Sequence, residues 1–156
     1  MSKISLSIPA LIMTVIVSHP SQAATGSITK TSAAQVKLIY SDGTTSMGLS
    51  AMYAASTDFP PGTLNKPKKL TRISDEIAAY PGAYTDKVQL CYFQSYQASP
   101  TRCISVPSGT SGTTTQFNDL EFALGTQMQI RHDITGQPGN SLQPSRKESI
   151  RWDYSY

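Results

Sequence analysis

Acid–base chemistry near neutral pH calls first for histidine, and the chain has two, His19 and His132. His132 stands beside Asp133, a tempting pair. Both fall in an alternating run, Met128 to Ile134, and neighbours on a strand point to opposite faces, so the two side chains cannot pair. A serine hydrolase needs serine, histidine and an acid in one site, and no Gly-x-Ser-x-Gly elbow is present. Glycosidases need two carboxylates at a set separation. Asp75, Glu76, Asp119 and Glu121 offer them, but no spacing selects two. Phosphate-binding loops and dinucleotide fingerprints are lacking. His132 is therefore expected to be a strand residue, partly buried or exposed, and the protein is expected to be no enzyme and to need no cofactor.

Cys91 and Cys103 are the only cysteines. An even pair in an exported chain reads as one disulfide. Zinc would want four ligands at short spacing, and only His132 could assist, so no metal site is expected. Each cysteine sits in a strand-like run, Lys87–Phe93 and Arg102–Val106, with polar Ser95–Thr101 between them. The bridge should staple a hairpin. No C-x-x-C motif is present to lower a thiol pKa, which favours a structural bridge.

Two basic clusters remain. Lys66, Lys68 and Lys69 with Arg72 form the first, and Arg146 and Lys147 with Arg151 the second. Such patches can meet anionic headgroups, glycan phosphates or an acidic protein face. The first is the candidate binding face. The aromatics Tyr80, Tyr84, Tyr92, Phe93 and Tyr96 could add a recognition patch, although half-buried strand positions explain most of them equally well. With 13 basic and 10 acidic residues the net charge is only +3, too mild for a dedicated nucleic-acid binder or a polybasic membrane anchor.

These residues need elements to hold them, and the order of the chain suggests which. Lys3 followed by the mostly apolar run Ile4–Val17, then Ser21-Gln22-Ala23, has the pattern of a secretory signal. The run is shorter than the ~20 residues a spanning helix needs. Residues 1–23 are thus expected to be a signal peptide and 24–156 a single domain in an oxidising compartment, without stable membrane insertion. Only 15% of the chain is charged, which suits an exported β protein better than a helical cytosolic enzyme.

The rest reads as short strands. Gln35–Tyr40 should bury Val36, Leu38 and Tyr40, and Asp42-Gly43 is a strong hairpin signal leading to a returning strand over Thr45–Tyr53. Pro60, Pro61, Gly62 and Pro67 mark a loop. Leu70, Ile73 and Ile77 fit a helix, while Leu70, Arg72 and Ser74 fit a strand edge, and context favours the strand. Further strands fall at Thr113–Phe117, Met128–Ile134 and Ile150–Tyr156. Seven or eight strands with regular turns predict an all-β fold, an antiparallel β-sandwich with a small barrel as the alternative.

The second half also resembles the flagellar FlhE family of small periplasmic proteins. The shared string runs Val88-Gln89-Leu90-Cys91, Arg102-Cys103 with Val106, Ser111-Gly112-Thr113-Thr114 with Phe117, then Gly139-Asn140-Ser141-Leu142-Gln143-Pro144 and the closing Ile150–Tyr154. The cysteine gap is longer here, Gly26-Ser27-Ile28 stands where the family has Gly-x-Trp, and residues 45–86 match poorly. The resemblance implies a periplasmic, non-enzymatic β-sandwich with Cys91 and Cys103 as its bridge. Such a protein would be an accessory of flagellar assembly that restrains proton or substrate leakage through the export apparatus. Its partner would be a basal-body or export-apparatus component. A competing expectation is a pilus-type or adhesin-like module, because Ile150, Trp152, Tyr154 and Tyr156 resemble the last strand of subunits that assemble by strand exchange.

Overall fold

The computed structural model describes residues 23–156, and all of the expected signal segment except Ala23 lies outside them. Ten strands follow in order: β1 Thr25–Ser32, β2 Lys37–Leu38, β3 Gly48–Tyr53, β4 Lys69–Glu76, β5 Ala83–Phe93, β6 Arg102–Val106, β7 Ser111–Thr114, β8 Gln127–Gly136, β9 Ser141–Leu142 and β10 Glu148–Ser155. One four-stranded sheet has the order β1-β10-β4-β7 and another β3-β8-β5-β6, with β2-β9 as a small third pair. All of these pairings are antiparallel. The sheets do not close into a barrel, so the sandwich holds and the barrel alternative falls. Among the described residues no helix is long and apolar enough to cross a membrane.

The long strands form because their side chains alternate between two environments. Met128 and Ile130 of β8 and Val88, Leu90 and Tyr92 of β5 turn inward and share one core with Ile150, Trp152 and Tyr154 of β10 and Ile28 of β1. Phe59, Phe117 and Phe122 from the connections complete the core. Fully burying a side chain of this kind is worth roughly 1.5–3 kcal/mol, so the facing layers hold the sheets together. The β5–β6 hairpin is the expected one: Cys91 and Cys103 face each other in register and are disulfide-bonded.

Two expectations for the first half need correction. Strand β2 is inverted: Lys37 and Ile39 are buried, at 3% and 1% exposed, whereas Val36 and Leu38 are 54% and 57% exposed. Ile39 belongs to a small cluster with Tyr80, Ile134 and Leu142. Lys37 can follow it inward because its ammonium donates to Gln35 Oε1 at 3.1 Å and to the Met47 carbonyl at 3.0 Å. Asp42-Gly43 does form a turn, in which Gly43 takes a φ of +80° and Thr44 N–H donates to Asp42 Oδ1 at 2.9 Å. That turn joins no β2–β3 hairpin, because β2 pairs with β9 and β3 with β8.

The ambiguous stretch from Leu70 is strand β4, and its helix-like spacing comes from a β-bulge. Asp153 pairs with Arg72 and Tyr154 with Leu70, so Thr71 is the extra residue. A bulge shifts the alternation by one. Leu70 therefore points inward together with Ile73, Asp75 and Ile77.

Gly26 has a packing role. It pairs with Tyr154 across β1 and β10, and a Cβ built on it would lie 2.6 Å from Tyr154 Cζ. That ring packs against Phe59 and Phe122 at centroid distances of 5.9 and 5.1 Å, so it has little room to retreat. Overpacking of this kind costs about 1–3 kcal/mol. Gly26→Ala should lower the urea midpoint accordingly, with an unchanged m-value.

Candidate functional site

The charged cluster of the interior lies between the two large sheets. His132 on β8 pairs with Val88 of β5, and Asp86, two residues before Val88, is its diagonal neighbour on the same face. Glu148 reaches the ring from β10 in the opposite sheet. The imidazole Nδ1 lies 2.8 Å from Asp86 Oδ1 and Nε2 lies 2.7 Å from Glu148 Oε1. His132 and Glu148 are buried, and the Asp86 side chain is nearly so. Asp133 points away into solvent, as strand geometry requires.

Neighbouring groups fix both carboxylates. Ser108 Oγ donates to Asp86 Oδ2, and the Ala78 N–H donates to Glu148 Oε1 at 3.2 Å. The Tyr80 ring stands edge-on to His132 with centroids 5.2 Å apart, and its hydroxyl donates to the Gln35 carbonyl at 2.6 Å. Burial pushes the Tyr80 hydroxyl up to about 12, and the charges of Glu148 and Asp86 push the same way. Burial alone pushes the His132 imidazolium pKa down. The hydrogen bonds and charges of Asp86 and Glu148 outweigh this and hold it up at about 9. The ring is therefore a cation at neutral pH, with both N–H groups donating to carboxylates.

This arrangement leaves the imidazole no free nitrogen to accept a proton, and Ser108 meets the acid, not the base. A general base needs an accessible lone pair facing the group it deprotonates. Asp86 and Glu148 sit on opposite nitrogens of the ring rather than around a common centre, and among the described residues no group of histidine, cysteine and carboxylates is placed to hold a metal ion. What the cluster does is clamp the two sheets. A groove of about 410 Å³ opens beside it, lined by Met47, Lys87, Gln89, Arg131, Asp133 and Pro107 among others.

Apart from His132, the residues singled out in the sequence do not converge on that cluster. Lys68 is buried, and its ammonium donates to the carbonyls of Thr63, Leu64 and Lys66 at 2.7, 2.9 and 2.9 Å while standing 4.7 Å from the Phe59 ring centroid. It ties the proline-rich loop together and is withdrawn from any contact face. Arg72 is engaged by Asp153, and Lys66 lies 5.6 Å from the Tyr156 ring centroid. Lys66, Lys69 and Arg72 remain exposed. In the second cluster Arg146 donates to the carbonyls of Ile77 and Thr110, and Arg151 pairs with Asp153.

Of the candidate carboxylates, Asp119 is held by Arg102. Asp75 is buried, and burial pushes its carboxyl up while the Gly112 N–H pulls it down. Tyr80, Tyr92 and Phe93 are core residues, whereas Tyr84 and Tyr96 are exposed. Among known proteins, no family model, no curated protein and no solved structure matches this chain.

Asp86 and Glu148 escaped the sequence reading, yet they carried a signal. Glu148 is in phase with Ile150, Trp152 and Tyr154, Asp86 with Val88, Leu90 and Tyr92, and His132 with Met128, Ile130 and Ile134. Charged groups at core-phase positions of three strands must find one another, because a buried charge without a partner is costly.

Proposed function

We propose that this protein is a non-enzymatic binding protein of the periplasm and an accessory of the flagellum. In that role it supports flagellar assembly and restrains leakage of protons or substrate through the export apparatus. The observation that carries the non-enzymatic part is the double engagement of His132: the histidine of the domain has both ring nitrogens bound to carboxylates. The flagellar part rests on the ordered resemblance across residues 87–154. The disulfide fits an oxidising compartment. The pilus-type alternative draws less support, because β10 is already paired on both edges within its own chain.

Deleting the gene tests this function. Flagellated cells should swarm poorly, assemble flagella abnormally or leak protons, while non-flagellated cells grow normally. Unchanged motility and cytoplasmic pH, with loss of surface fibres or adhesion, would sink the flagellar role and favour the alternative.

A further inference from the structure

Strand β3 forms one edge of its sheet and is hydrogen-bonded to β8 alone. Residues of an antiparallel strand turn their N–H and C=O groups to its two sides alternately. The Ala54 N–H donates to the Thr126 carbonyl at 2.9 Å, and beyond the other end of β3 the Gly136 N–H donates to the Gly43 carbonyl at 3.0 Å. The even-numbered residues of β8 therefore face β3, and their partners Gly48, Ser50 and Met52 bond to them. Leu49, Ala51 and Tyr53 turn their main-chain groups to the free side. Among the described residues no main-chain hydrogen bond reaches them there.

Edge strands are ordinarily guarded by charge, by proline or by shortness. Strand β1 carries Lys30, β6 starts at Arg102 and stands between Pro100 and Pro107, and β7 has only four residues. Strand β3, Gly48–Tyr53, contains neither a charge nor a proline. Its outer face is apolar, with Leu49 39% and Tyr53 55% exposed. Charged side chains close this edge only at its two ends. The Lys37 ammonium donates to the Met47 carbonyl at 3.0 Å, and the Ala55 N–H donates to Asp58 Oδ2 at 2.6 Å. Met47 and Ala55 are in phase with Leu49, Ala51 and Tyr53, so the two caps delimit an open window over those residues.

We infer that this window is the interface for a second copy of the chain, paired antiparallel about a two-fold axis at Ala51. In that register Leu49 exchanges N–H and C=O with the partner's Tyr53, Ala51 with the partner's Ala51, and Tyr53 with the partner's Leu49. No other register uses all of the open groups. On the outer face each leucine meets a tyrosine, an apolar cross-strand pair, and only the small Ala51 side chains meet on the axis. The same register sets Met47 opposite the partner's Ala55. Lys37 is thereby brought toward the partner's Asp58, which already holds its own Lys30. Arg131 stands beside Leu49 on β8 but lies along its own sheet, on Gln129 and over the Phe93 ring. The edge thus matches itself in main-chain bonding, in side chains and in the sign of its caps, which favours a second copy over an unrelated strand. Such an isologous pairing closes at the dimer and joins two four-stranded sheets into one.

The test is sedimentation of the purified protein over a range of concentrations up to about 1 mM, the weak end of specific association. The apparent mass should double across that range. Amide hydrogen exchange read by NMR at both ends of the range should slow about tenfold or more at Leu49, Ala51 and Tyr53 as the dimer forms. Ser50 and Met52, bonded to β8, should be protected throughout. Ala51→Lys sets two ammonium groups against each other on the axis. It should keep the melting temperature and weaken dimerisation about tenfold or more, because like charges facing each other are costly. Mixing it with Ala51→Glu should restore a dimer of one copy of each, and failure to do so overturns the register. A dimer whose Leu49, Ala51 and Tyr53 amides exchange as fast as in the monomer overturns the location. Assemblies larger than a dimer overturn the two-fold pairing. A chain that stays monomeric at every concentration overturns the second copy and leaves this edge to a strand of another protein.

Discussion

Replacing His132 with alanine should be among the most damaging single changes in the domain. It would leave Asp86 and Glu148 facing a cavity with no cation between them, and Glu148 is 0% exposed. Removing one partner of a buried ionic pair costs about 3–5 kcal/mol. Oε2 of Glu148 already has no hydrogen-bond partner among the described residues, so the Ala78 N–H on Oε1 would be left as its one hydrogen bond and no cation would remain to balance it. His132→Leu combined with Glu148→Leu should recover part of the loss, since it removes a buried charge together with its counterpart. Chemical denaturation of the single and double variants checks this. Equal stability of His132→Ala and the native protein would mean that the clamp contributes nothing.

The same cluster sets a pH dependence. His132 titrates near 9 in the folded state and near 6.5 when unfolded, so the native state binds the extra proton. Its contribution, about 3 kcal/mol from that difference, is fully present below pH 6.5. It declines as pH rises from 6.5 to 9 and is gone above. Denaturation midpoints of the native protein should therefore fall over that window, and those of the double leucine variant should fall much less.

Breaking the disulfide should have the second large effect. Cys91 and Cys103 are 12 residues apart, and closing a loop of that length stabilises by about 3 kcal/mol in the chain-entropy model. Serine at both positions should lower the melting temperature by an amount matching that loss. Thiol labelling of the denatured, non-reduced protein as isolated from cells should find no free thiol, and full labelling of both cysteines would refute the bridge in the cell. The β5–β6 register itself should survive, because Val88, Leu90 and Tyr92 hold that hairpin to the core independently of sulfur.

The strands that could be read from the sequence are those with a long and simple alternation. β8 and β10 are each packed on one face against the opposite sheet, so their period is undisturbed. β5 and β6 were legible because the cysteines sit at facing positions. In the first half, local pattern and tertiary partner disagreed. The run from Gln35 to Tyr40 has more apolar bulk on its even positions, yet the pocket made by Tyr80, Ile134 and Leu142 receives Ile39. Thr71 breaks the phase of β4 with a bulge that only the neighbouring strand reveals. Strand partners were hidden too, since Asp42-Gly43 reports a reversal of the chain but not which strand lies beside it.

The candidate site was legible only in part. His132 is conspicuous in the sequence and strand geometry sends Asp133 to the opposite face, but Asp86 and Glu148 lie 46 and 16 residues away, a distance no local spacing can bridge. Lys68 looked like a surface charge because its sequence neighbours are Lys66 and Lys69. Its three carbonyl acceptors depend on how the proline-rich loop turns.

The place of β10 has a consequence for how the molecule is made. β10 lies between β1 and β4, and Thr25 pairs with Ser155, so the first sheet cannot assemble until residues 148–155 have been delivered. Until then Ile28, Leu70 and Ile73 lack the Ile150, Trp152 and Tyr154 side chains that neighbour them in that sheet. A chain emerging N-terminus first would be an unfinished sheet with two sticky edges for most of its transit, at risk of pairing with other chains. Contacts between strands as far apart in sequence as β1 and β10 also make for slow folding. Loss of β10, Glu148–Ser155, should therefore abolish the fold, not merely shorten it, and production of this protein should depend on holding chaperones.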